Sequence, residues 1–443
     1  MSSPIDHGNN NLKAGDYRLE KLVLHSLING TSVPLNNLFR RVEIYEDIFS
    51  PYVTAKVFVE DAFNFPERVP VVGQEKVEIV FKSDMNSFEP IELLFRVYKL
   101  DTHSIEQNGK AQRYTLHLIS EGGFFNFSQY CGYSLTGSVS DMVRSVMKKH
   151  FPENIWTDRL EVQETADKYS FVVPGSYTPF KAIEWLCGKA FSSEGAEYSP
   201  YLWYETLEGY RFKSLTNIIQ DGSLSVPYYV YTQPNVNPLE GVVETARVET
   251  DVPNRYLKVQ KLEELARFDS VSNIMNGMIS SKLAVHDLVR KQMRISEFRE
   301  AEVFESVPKL GEFPHFRTSD PQTDRLLGEG ASYYYLPATP FTVTDISNGI
   351  VDNHKHESLY LKRKYHMNAF LTQKLAITVF GDSRRRVGDI VHLDVLKPQS
   401  DGSAVDDRYD KNLSGQYMIT TIKHTLSTVY SCSYELSRNC MGV

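Results

Sequence analysis

Cysteine is scarce in this chain of 443 residues: its four residues, Cys131, Cys187, Cys432 and Cys440, lie far apart and share no metal-ligand spacing. The pattern gives no zinc motif and fits reduced thiols in a chain that folds in a cytosol. Long apolar runs are absent as well. No stretch approaches the ~20 residues needed to span a bilayer, and Met1 to Asn10 has neither the basic cluster nor the apolar core of a signal peptide. Positive charge is not in excess: 48 Lys and Arg stand against 56 Asp and Glu, a net charge of −8, which argues against a protein that grips nucleic acid through its phosphates.

Catalytic signatures are missing too. There is no Gly-x-Ser-x-Gly elbow and no phosphate-cradling Gly-x-x-x-x-Gly-Lys segment. The acidic pairs Glu263-Glu264 and Asp406-Asp407 read as solvated, since a glycosidase needs two carboxylates held across a cleft. His354-Lys-His356-Glu357 is the densest set of potential metal ligands, but its i, i+2 spacing suits a strand, and it reads as a polar surface loop. Arg384-Arg-Arg386 could face a nucleic acid or an acidic partner and reads as a solvated turn. Trp203, Tyr204, Tyr210 and Phe212 could form a sugar or peptide platform and read as half core. No catalytic residue, metal site or cofactor is expected.

What the sequence does hold is alternation. Leu375 to Phe380, Ile390 to Leu396, Gly415 to His424 and Val429 to Leu436 are apolar at every second position, the period of strands with one buried face. Such a meander is expected to close into a small barrel. Each piece has an earlier counterpart in the same order, an internal repeat. Val72-Gly73 opens one strand as Val387-Gly388 opens another; Phe95 to Leu100 echoes Tyr417 to Ile422; Tyr114 to Leu118 echoes Cys432 to Leu436. Ile48 to Asp61 aligns without a gap on Ile274 to Asp287.

Residues 1–16 read as a flexible arm and 17–122 as a first tube-like β-barrel. From Glu121 the period lengthens to about 3.6. Val139, Met142, Val143, Val146 and Met147 form a helical stripe, with Ser138 as N-cap, a basic last turn and Pro152 as a stop. A second helix begins at Thr178-Pro179, and an aromatic hairpin follows at Tyr201 to Lys213. Residues 123–240 are thus an α+β insertion. A second barrel is expected to begin at 241–292 and to finish at 368–443, interrupted by an excursion at 293–367 with a long loop and a helix from His356 to Thr372. The fold class is mainly β, two similar barrels with an inserted helix and sheet domain.

The segment from Ile44 to Ala62, followed by Val72 to Val77, resembles the first barrel of the baseplate hub protein of contractile-tailed bacteriophages. The helix after Tyr177 to Phe180, the Tyr204-Glu-Thr hairpin, Ser272 to Met278 and Asn412 to His424 are similar to later parts of that family, so the resemblance covers about residues 40–437. It implies a homotrimer whose two barrels per subunit form a pseudo-six-fold ring. The ring would join the hexameric tail tube to a trimeric central spike, with baseplate wedge proteins around it and DNA passing through without specific binding. It also implies a place in the virion tail, assembly in the host cytoplasm and no membrane insertion. The hub part of type VI secretion spike proteins shares that fold. Without an OB-like domain or β-helix needle before Val443, a separate spike chain is implied. The strand positions expected to build the inter-subunit ring are Val53, Val57, Val77, Ile79, Leu283, Val391, Leu393 and Ile419. Two other classes fit less: a cell-wall-degrading tail enzyme centred on 123–240, and a carbohydrate-binding module on the Trp203 hairpin.

Overall fold

Strand alternation gives seven strands in the first unit: β1 (Tyr17–His25), β2 (Ser32–Pro34), β3 (Phe39–Asp47), β4 (Thr54–Asp61), β5 (Lys76–Ser83), β6 (Ile91–Ile105) and β7 (Gln112–Ser120). In β4, Ala55, Val57 and Val59 are buried while Thr54, Lys56 and Phe58 are half-exposed, so one face supplies the core. The computed structural model describes residues 14–61, 69, 71–83, 89–105, 112–166, 168–193, 198–231, 257–287, 291–329, 332–337, 342–345, 349–351, 354–397 and 409–441. The expected arm, the start of the second unit near Gly241 and residues 62–68 and 398–408 fall largely or wholly outside these.

The insertion contributes β8 (Ser134–Ser138), α1 (Val139–His150), β9 (Leu160–Val162), β10 (Lys168–Val172), α2 (Pro179–Cys187), β11 (Tyr201–Thr206), β12 (Gly209–Ser214) and α3 (Leu215–Gly222). Helix α1 has the expected bounds, and the Ser138 hydroxyl accepts from the Asp141 amide as its cap. Its apolar stripe packs with Phe180, Ile183 and Leu186 of α2 and with Trp203, Tyr210 and Phe212 of the hairpin in a core of its own. Those aromatics are buried, more deeply than the half-core expectation, and the hairpin presents no ring platform to a sugar.

Then come β13 (Tyr228–Tyr231), β14 (Lys261–Ala266), α4 (Ser270–Met275), β15 (Ser280–Asp287), β16 (Gln292–Arg299), α5 (Pro321–Glu329), β17 (Ser332–Pro337), β18 (Thr342–Asp345), β19 (Gly349–Val351) and α6 (His354–Phe370). The chain ends with β20 (Gln373–Phe380), β21 (Ile390–Val395), β22 (Gly415–Leu426) and β23 (Tyr430–Arg438). The helix expected from His356 is α6; its first turn includes His354 to Glu357, so that stretch is helical and not a loop.

Two meanders merge into one 13-stranded sheet, ordered β14-β20-β23-β22-β3-β4-β7-β6-β5-β1-β2, with β21 beside β22 and β13 beside β21. The path is open, and no closed barrel forms among the described residues. The reason lies in β22, which spends Gly415 to Met418 on β21 and Thr421 to Leu426 on β3. The edge that would close the first unit on itself is therefore used to join the second.

The repeat survives at the level of register. A bulge falls between Val97 and Lys99 where β6 meets β7, and another between Ile419 and Thr421 where β22 meets β23. Val97 faces Leu118 as Ile419 faces Leu436. Gly73 and Gly388, which open the paired strands, both have positive φ, +88° and +98°, a conformation glycine adopts without strain. One alignment fails. Ala55 faces Leu118 as Leu375 faces Leu436, so the counterpart of β4 is β20 and not 274–287.

Strand β15 instead lies in a separate sheet, β16-β15-β17, where its Leu283 and Val285, with Phe298 of β16, pack against Leu361, Tyr365 and Ala369 of α6. The excursion is thus a unit built around β15, and β13, expected in the insertion, pairs with the large sheet. Local periodicity cannot distinguish these cases, because a half-buried strand looks the same in either sheet.

Candidate assembly junction and sheet edges

The seam between the two meanders carries a buried charge. Along β3 the buried phase runs Val42, Ile44, Glu46, and along β22 it runs Ile422, His424, Leu426. Antiparallel pairing sets His424 opposite Ile44 and Glu46 opposite Ile422, which makes Glu46 and His424 diagonal neighbours on one face. His424 Nε2 lies 2.9 Å from Glu46 Oε1, and both side chains are fully buried. The other carboxylate oxygen accepts from the Leu207 amide at 2.9 Å, so first unit, second unit and insertion hairpin meet at one carboxylate. On the far side of the imidazole, Nδ1 is 2.8 Å from the Tyr430 hydroxyl and 3.4 Å from Cys432 Sγ. Burial pulls the His424 pKa down, but Cys432 and Glu46 outweigh it and lift it to about 9.

Glu205, on the same hairpin, makes the second link. Its Oε2 accepts from the Val53 amide at 2.8 Å and from the Ser120 hydroxyl at 2.5 Å. Burial raises its pKa to about 7, and the bonds from Ser120 and Val53 oppose that rise without cancelling it. At the first residue of β12, Gly209 has φ +138°, and a Cβ there would sit 2.1 Å from the Arg159 carbonyl oxygen. The turn is therefore closed against the insertion and presents Glu205 and Leu207 to the large sheet.

The basic run beside β21 belongs to this junction and is not a solvated turn. Arg384 binds Asp382 through Nε and Nη2, each at 2.8 Å; Arg385 lies 3.5 Å from Asp382; Arg386 Nε reaches Glu208 at 3.1 Å. A cavity of about 230 Å³ opens there, where Arg211, Lys213 and Arg386 are balanced by Glu161, Glu208 and Asp221. Arginine next to acids from two segments docks the hairpin and leaves no unopposed field for a polyanion.

Seven of the eight expected ring positions, Val53, Val57, Val77, Ile79, Val391, Leu393 and Ile419, share one core around the large sheet, and Leu283 lies in the separate one. All are at most 3 % exposed, so their side chains pack within the chain. Glu46, His424 and Glu205 were not legible as a cluster, although a charged residue in the apolar phase of β3 and a histidine in that of β22 were a signal.

In the run β14-β20-β23-β22-β3-β4-β7-β6 of the large sheet, the two end stretches stand open among the described residues. Strand β14 pairs with β20 alone, and residues 98–105 of β6 pair with β7 but not with β5, which ends its ladder at Arg96. Next to β14, α4 buries none of its residues, and Leu265, Phe268, Val271 and Met275 are exposed. At the other end of the sheet β2 is three residues long and ends in Pro34, a blunted edge.

The fold is that of phage tail proteins. The tail protein from Neisseria meningitidis MC58 superposes with a TM-score of 0.52 at 10% identity, over 95% of this chain and 96% of that one. The 43 kDa tail protein of prophage MuSo2 from Shewanella oneidensis gives 0.53 at 9% identity, over 95% and 99%. The prophage tail protein gp18 from Listeria monocytogenes EGD-e aligns with a TM-score of 0.45 at 10% identity, over 94% of each chain. No protein-family profile matches the sequence, and no curated protein matches it.

Proposed function

We propose that this protein is the structural hub of a contractile phage tail baseplate: a homotrimer forming a pseudo-six-fold ring between the hexameric tail tube and the trimeric central spike, wide enough to pass DNA. The observation that carries the reading is the joining of two register-matched meanders into one sheet, in a chain that superposes end to end on phage tail proteins. A duplicated unit lets a three-fold object present six similar faces. The role is architectural, not enzymatic: the charged groups at the junction are spent on holding the segments together. A net charge of −8 supports DNA passing without adhering.

Light scattering across a concentration series, alone and with tail-tube and spike chains, tests it. The expected mass is about three times 50.7 kDa. A monomer under every condition overturns the ring.

A further inference from the structure

The internal repeat specifies how one copy meets the next. Inside the chain, β22 of the second meander pairs with β3 of the first, in a register that sets His424 opposite Ile44 and Leu426 opposite Val42. Each partner has a counterpart. The bulges after Val97 and Ile419 identify β6 with β22, placing Thr102 where His424 stands. Strand β3 pairs with β4 as β14 pairs with β20: Ile44 faces Ala55 and Glu264 faces Leu375, which places Glu264 where Ile44 stands.

These counterparts, 98–105 of β6 and 261–266 of β14, are the open end stretches of the run β14-β20-β23-β22-β3-β4-β7-β6. We infer that β6 of one copy pairs antiparallel with β14 of the next, Thr102 opposite Glu264, in the register by which β22 joins β3 within the chain. The inference rests on the ring reading above and adds its contact and register.

The pairing is head to tail, so each copy uses one edge of each kind. Three copies then lay eight strands apiece into a continuous band, β14-β20-β23-β22-β3-β4-β7-β6, that closes on itself. A second feature agrees: Leu265, Phe268, Val271 and Met275 are exposed at the end of β14, apolar surface that a neighbouring copy would cover, while the charged Lys261, Glu263 and Glu264 and the bulge between Glu264 and Ala266 guard the edge against indiscriminate pairing. A heterologous contact of this kind closes if the rotation is right.

The test uses the full chain with two added cysteines, the four native thiols being buried. T102C/E264C under mild oxidation is expected to give covalent dimers and trimers on a non-reducing gel. T102C/K261C is three residues out of register, about 10 Å along the strand, beyond disulfide reach, and is expected to give none. On the unaltered trimer, amides of 99–105 and 261–266 should exchange with solvent as slowly as those of 42–47 and 421–426. A trimer that neither cross-links in register nor protects these segments overturns the strand pairing and leaves the ring standing; a protein that never trimerises overturns both.

Discussion

Two buried side chains, His424 and Glu205, favour acid, against His366, whose burial pushes its pKa down to about 4 and so favours the fold above pH 6.5. His424 has a folded pKa of about 9 against 6.5 for the free side chain, so its contribution is complete below pH 6.5 and is lost as pH rises through 9, a change on the order of 3 kcal/mol. Glu205 is raised from 4.5 to about 7, so the folded state also holds its extra proton at low pH, and stability falls between pH 4.5 and 7. Denaturant unfolding at fixed pH values, taken as the difference between parent and variant, isolates each limb from the opposing one of His366. In H424Q the alkaline limb should flatten, and stability at pH 7 should drop by roughly 3–5 kcal/mol because Glu46 is left buried without a counter-charge. E205Q should remove the limb below pH 7 and be neutral or stabilising at pH 8, since the amide oxygen can still accept from Val53 and Ser120. Unchanged limbs in these variants would show that the pair is not coupled to folding.

Among the elements, helices and hairpins were the most legible, because their signals are local. The cap, stripe and stop of α1 lie within about four turns of sequence, and the structure keeps all three. Ser138→Ala should cost about 1 kcal/mol. Gly209→Ala should cost about 2 kcal/mol or more, through positive φ and the contact with the Arg159 carbonyl, and it should loosen the hairpin from the large sheet. A thermal midpoint for Gly209→Ala within a degree of the parent would refute that account. Sheet membership was legible only in part, where the Val-Gly opening recurred, and the bulges that settle it are visible only in the structure. The paired bulges and the paired Val-Gly openings tie β6 to β22 and β5 to β21, whereas the gapless match of Ile48 to Asp61 with Ile274 to Asp287 rests on alternation alone and led to the wrong sheet.

For the whole molecule, separate cores imply separable losses. Val57→Asp strikes the core shared by both meanders, while Leu283→Asp strikes the small core under α6. Hydrogen exchange should show global deprotection in the first and, in the second, deprotection confined to 278–307 and 359–370. Equal deprotection would mean that the two units unfold as one. The mainly β class and the order of its pieces could be read from sequence, because alternation, turns and the repeat are linear properties. That the barrels open and fuse could not, since it depends on which edge β22 takes.

That choice of edge also has a timetable. Glu46 and His424 are 378 positions apart, so β3 is synthesised long before its neighbour exists. At ribosomal rates of about 5–20 residues per second, the wait is roughly 20–75 s. Throughout it the nascent chain carries the bare flank of β3, the same kind of flank that another nascent chain could take. Polysomes, which crowd growing copies together, are therefore where mispairing would begin, and slowing the last sixty codons should raise the insoluble fraction more than slowing the first sixty.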